Sequence, residues 1–112
     1  MGVVSTTVFA ENDPGRVTYA PADAIDIVAG KIKVALDAVT SGSEGEQVAD
    51  LIKDASDATK EINANDKVDI GRSRANNILK LARKHAKESA LQEAEQELRN
   101  ALKAFNDLKG LI

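Results

Sequence analysis

The chain predicts an all-α fold: an antiparallel up-down-up-down four-helix bundle built from two similar helical hairpins, preceded by a non-helical N-terminal arm. Three observations carry this expectation. Apolar residues recur at alternating spacings of three and four in four successive stretches, the period that lines one side of an α-helix. Turn and breaker clusters ("TSGS", "NAND") fall between those stretches. Aromatics are confined to Phe9, Tyr19 and Phe105, so the core must be built from Ile, Leu, Val and the abundant Ala, whose small side chain favours close helix approach. At 112 residues the chain is one domain by length, and it should bury about two-thirds of its unfolded surface.

Residues 1–20 read as the arm and 21–112 as the bundle. Within the arm, "VFA" places Val8 and Ala10 three and one residues before Glu11, the small-residue pattern that signal peptidase accepts. Residues 1–10 are therefore expected to be the remnant of an export signal behind Met1-Gly2, which puts the mature protein in the bacterial periplasm or outside the cell. The alternative is an ordinary N-terminal extension. "DPGR" has Pro14 and Gly15 at the second and third positions of a type II turn.

Helix 1 is predicted over Pro21–Val39. Pro21 suits a first helical turn, and Ile25, Val28, Ile32, Ala35 and Val39 make its seam. Gly42 is available for a left-handed cap after it. Helix 2 is expected to begin after Ser43, with Ser43 and Glu46 forming a capping box. Its inner face is Val48, Leu51, Ile52, Ala55, Ala58 and Ile62, and "NAND" ends it. Helix 3 is predicted over Ser73–Lys87, because Gly71 weakens the stretch before it. Its stripe is Ala75, Ile78, Ala82 and His85, with Leu79, Leu81 and Ala86 beside it. Helix 4 is expected to follow a second capping box, Ser89 to Gln92, and to bury Leu91, Ala94, Leu98, Ala101, Phe105 and Leu108 before Gly110 closes it.

The two boxes stand 46 residues apart, and at that offset Ile32 matches Ile78, Ile52 matches Leu98 and Ile62 matches Leu108. This reads as two copies of one hairpin, neither able to bury both its stripes alone. Ile27 and Val34 lie off the helix 1 seam. Either the arm around Val17 and Tyr19 covers them, or another subunit does.

Composition narrows the chemistry. The net charge of −3 with dispersed signs argues against a nucleic-acid partner, which requires a basic surplus. The absence of Cys excludes disulfides, thiolate zinc sites and iron–sulfur clusters. No apolar run approaches the ~20 residues of a membrane span. There is one histidine, so the paired Glu-x-x-His motifs of di-iron bundles are missing, and Met1 as the lone Met leaves no His–Met haem pair. Nothing resembles a nucleophile elbow, and no enzymatic activity is expected.

What remains is charge. Glu46, Asp50, Asp54, Asp57 and Glu61 fall within about a quarter turn on helix 2, and Arg72, Lys80, Arg83 and Lys87 do so on helix 3. They read either as solvated faces linked by cross-helix ion pairs, as a carboxylate strip that collects divalent cations weakly, or as a docking face for a basic partner. His85 and Glu88, three residues apart, make either half a metal site or a boundary histidine with one hydrogen bond beside a surface carboxylate.

"RKHAKESALQEAEQELRNALKAF" resembles the small metal-binding proteins of the bacterial periplasm, which are compact four-helix bundles of two similar hairpins rich in histidine. The resemblance spans about residues 21–108 and matches one of that family's histidines, His85. "IDIVAGKIKVALDAV" is similar to a helix of the cytochrome-type bundles, whose haem ligands this chain lacks. The resemblance implies an exported, non-enzymatic binding or accessory protein. Its ligand would be a weakly bound divalent metal at His85, Glu88, Asp50, Asp54, Asp57 and Glu61. The alternative is a protein–protein adaptor or self-associating bundle, monomeric or weakly dimeric.

Overall fold

The computed structural model describes residues 18–112. The expectations on Val8, Ala10, Pro14, Gly15 and Val17 lie outside them. Thr18 to Ala20 are non-helical, and Pro21 opens the first helix at its first turn. Four α-helices follow: α1 Pro21–Thr40, α2 Gly45–Ala58, α3 Asp66–Lys87 and α4 Leu91–Asp107. Short 3-10 turns extend α2 (Thr59–Glu61) and α4 (Leu108–Leu111). Each helix packs on the next and α4 returns to α1, as an up-down-up-down bundle requires.

The interior is made as the composition demands. Ile25, Val28, Ile32, Val48, Ile52, Ile62, Val68, Leu79, Leu98 and Phe105 are fully enclosed. Between them sit Ala24, Ala35, Ala49, Ala55, Ala75, Ala82, Ala86, Ala94 and Ala101, the small positions across which the helices meet. Among the described residues one polar residue is buried, Thr59, and its hydroxyl donates to the Ser56 carbonyl at 2.6 Å.

The ends of the bundle are tied by specific polar contacts. Asn65 caps α3 by accepting from the Val68 amide at 2.9 Å, while its Nδ2 donates to the Leu111 carbonyl at 2.8 Å and so fastens the C-terminus to the α2–α3 connection. Arg72 Nη1 donates to the Ile62 carbonyl at 3.1 Å, and Lys109, in the 3-10 turn after α4, pairs with Asp26 of α1.

Several sequence expectations are corrected. Neither capping box forms: the N-caps of α2 and α4 are Glu44 and Ala90, and neither makes a side-chain cap bond. Ser43 and Ser89 belong instead to the turns that end α1 and α3. Gly42 (φ 85°) and Ser89 (φ 61°) take the left-handed position of a Schellman motif. Gly42 N donates to Val39 O and Ser43 N to Ala38 O; likewise Ser89 N donates to Ala86 O and Ala90 N to His85 O. Helix α3 starts at Asp66 rather than Ser73. Gly71 lies inside it because Leu108 packs against the bare backbone, where a Cβ would collide with Leu108 Cδ2.

The stripe of α3 is rotated by one residue from expectation. Ala75, Leu79, Ala82 and Ala86 are enclosed, Ile78 and His85 are half-buried, and Leu81 is exposed. The repeat shifts accordingly. Three residues join α3 to α4, against four joining α1 to α2. The second helices therefore match at an offset of 46 (Val48 with Ala94, Ile52 with Leu98, Ala55 with Ala101), all buried. The first helices match at 47 (Val28 with Ala75, Ile32 with Leu79, Ala35 with Ala82), also all buried.

Two outcomes are expected in urea unfolding. Leu98→Ala opens a cavity between α4 and its neighbours and should cost ~2–5 kcal/mol, whereas Glu95→Ala, which removes a surface pair with Arg99, should cost under ~0.5 kcal/mol. The repeated turn should respond with opposite signs: Ser89→Gly relieves a left-handed L-residue and should add roughly 1 kcal/mol, and Gly42→Ser should remove about as much.

Candidate functional site

Among the described residues the core is closed by apolar side chains, so candidate chemistry is looked for on the outer faces. The acidic row follows from helical spacing on α2: Glu46, Asp50, Asp54 and Asp57 are all exposed, and Glu61 is half-buried in the 3-10 turn. Asp57 is held by Lys53 at 2.8 Å, one turn back, and the hydrogen bond from that ammonium lowers its pKa below the ordinary carboxylate value. The sign is that of any stabilised carboxylate: the small benefit of the pair is present at neutral pH and fades as pH falls through the carboxylate range.

The cross-helix ion pairs expected between the two charged faces do not form. Among the described residues, no carboxylate of α2 lies within ion-pair distance of a cation on α3. Arg72 turns toward the Ile62 carbonyl and Asp69 instead. Lys80, Arg83, Lys84 and Lys87 line an open depression with Glu88 at its end. Arg83 is half-buried there, and its Nε has no hydrogen-bond partner among the described residues. Lys84 and Lys87 stand in the last turn of α3, where the carbonyl end of the helix dipole favours positive charge.

His85 and Glu88 do not act together. His85 Nδ1 meets Glu97 Oε1 of α4 at 2.8 Å, with both side chains largely shielded. Glu88 is the exposed C-cap of α3 and lines the lysine-rich depression. Glu97 is the partner that the sequence did not expose, because its contact depends on how α4 is rotated against α3. Among the described residues, no three His, Asp or Glu side chains gather within reach of one ion. The six residues expected to ligate a metal are thus spread over α2, its 3-10 extension, and two flanks of α3, and they do not fit an enclosed metal site.

The apolar pair off the α1 seam is only partly covered. Ile27 is half-buried, while Val34 is 52% exposed and lines a groove with Lys31, Leu51 and Asp54. Tyr19 lies with Thr18 beside Lys60, Glu61 and Asn63. Ile70 and Leu81 are likewise exposed on the outside of α3. No described helix is long and apolar enough to cross a membrane. Comparison with protein-family models, with curated proteins and with solved structures finds no match to this chain.

Proposed function

We propose that the chain is a small, exported, non-enzymatic binding or accessory protein that associates with other proteins through the outer faces of its helices. The observation that supports this most is the contrast between its inside and its outside. The core is closed by apolar side chains, and the buried Thr59 hydroxyl is internally satisfied by the Ser56 carbonyl. The outside keeps large apolar groups (Val34, Ile70, Leu81) and two rows of charge that are not spent on each other. A protein that transformed a small molecule would need a concave, polar-lined pocket. Export is proposed on the Val8-Phe9-Ala10 pattern before Glu11.

A photocrosslinking residue at Val34, Leu81 or Asp54 tests the reading in the compartment where the protein resides. Outer-face probes should give discrete crosslinked protein species. Failure of every outer position to crosslink would contradict it.

Weak metal binding is a second reading, supported by Asp50 and Asp54, exposed carboxylates one turn apart that no cation of the described residues engages. Two carboxylates on a rigid helix can hold a hard cation but leave most of its shell to water. Titration calorimetry should find a Kd no tighter than about 10⁻⁵ M for calcium, zinc or copper. His85→Ala should leave the affinity for zinc, copper and calcium unchanged, because His85 stands on α3 against Glu97 of α4 and not beside Asp50 and Asp54. A submicromolar zinc or copper site would overturn the weak-binding reading.

A further inference from the structure

Helices α2 and α3 pack side by side and run antiparallel, joined by the short connection at 62–65. Two contacts fix their relative height. Ser56 Oγ meets Asn76 Oδ1 at 2.6 Å, and Gly45 sits against the Ala86 carbonyl so closely that a Cβ would not fit. Glu46 is therefore level with Lys87 and Asp50 lies between the levels of Lys80 and Lys84, while Asp54 turns to the other side of α2, into the groove with Lys31, Val34 and Leu51. The side chains of Glu46, Asp50, Lys80, Lys84 and Lys87 are all exposed. None has an ion-pair partner among the described residues, while Lys53, on the same helix as the two carboxylates, is drawn off to Asp57. The acidic column rises about 6 Å along α2 and the basic column about 10 Å along α3, at 1.5 Å per residue.

Two columns of opposite charge, adjacent and at the same height, are complementary to themselves. A half-turn about an axis parallel to the helices, passing between α2 and α3, lays the acidic column of one copy on the basic column of another, twice over. From this we infer that the α2–α3 face binds a second copy of this chain. Glu46 meets the second copy's Lys87, and Asp50 meets Lys80 and Lys84. The contact is isologous and closes at two copies. A face two helices wide and about 20 Å long buries roughly 1,000 Å² in total, the lower edge of specific interfaces, so the dimer is weak and salt-sensitive. The inference rests on the reading of the chain as a protein that acts through its outer faces, and names the partner for one of them.

The test is sedimentation equilibrium of the full chain up to about 500 μM, with circular dichroism as the check on folding. Self-association is expected at about 50 mM NaCl, with a Kd at least about tenfold weaker at 500 mM. A variant carrying Glu46→Lys and Asp50→Lys should be monomeric alone, and so should one carrying Lys80→Glu, Lys84→Glu and Lys87→Glu. Mixed, the two should form a heterodimer, because each face then meets its opposite in both places. A control with Lys33→Glu, Lys67→Glu and Arg74→Glu has the same net charge as the second variant and should not pair with the first. A natural chain that stays monomeric at both salt concentrations would overturn the proposal while leaving other outer faces free to bind. Association that survives both sets of substitutions would overturn it in favour of a different face.

Discussion

The fold rests on bringing four alanine-bearing stripes close enough for their larger neighbours to interlock. Ala35, Ala55, Ala82 and Ala101, one from each helix, are completely enclosed, and around them Ile32, Ile52, Leu79 and Leu98 fill the space that the close approach leaves. Burial of those four branched side chains contributes on the order of 1.5–3 kcal/mol each before entropy is counted. The same demand accounts for two glycines at contacts: Gly45 lets the start of α2 slide under the end of α3, and Gly71 makes room for Leu108. A helix that backed away at either point would open the seam it shares with its neighbour.

Because the core takes all the apolar seams, polar chemistry is pushed outward, and that is why the functional question becomes one of surfaces. Glu46 and Asp50 on α2 stand at matched height with the ammonium groups of Lys80, Lys84 and Lys87 on α3, held there by the Ser56–Asn76 bond and the Gly45 contact. His85 stays at the edge of the core and spends one ring nitrogen on Glu97. The interior is left with apolar packing, and the exterior carries whatever recognition the molecule has.

The helix count, their order and most enclosed positions were legible, because a period of 3.6 is written directly into the spacing of Ile, Leu, Val and Ala. The turns were less so. Ser43 and Ser89 each stand three residues before Glu or Gln, the same letters a capping box uses, yet both are consumed by the preceding helix as parts of a Schellman turn. Local sequence cannot tell which helix will claim a serine lying between two of them. Gly71 misled for a different reason: its cost within a helix is local, and the Leu108 contact that justifies it comes from residues 37 positions away. The true register of the repeat was hidden by a linker one residue shorter in the second hairpin. Of the charged site, membership of the two rows could be read, but whether they faced each other or solvent could not, since that depends on how the helices rotate about their axes.

The two hairpins share one core, and neither should hold its structure alone. Native-state hydrogen exchange measures this most directly. Amides of Ile32 and Ile52 in the first hairpin, and of Leu79 and Leu98 in the second, should open with free energies that agree within about 1 kcal/mol and equal the global unfolding value. Exchange of one hairpin's amides through a separate, much cheaper opening, while the other's stay protected, would contradict the shared core.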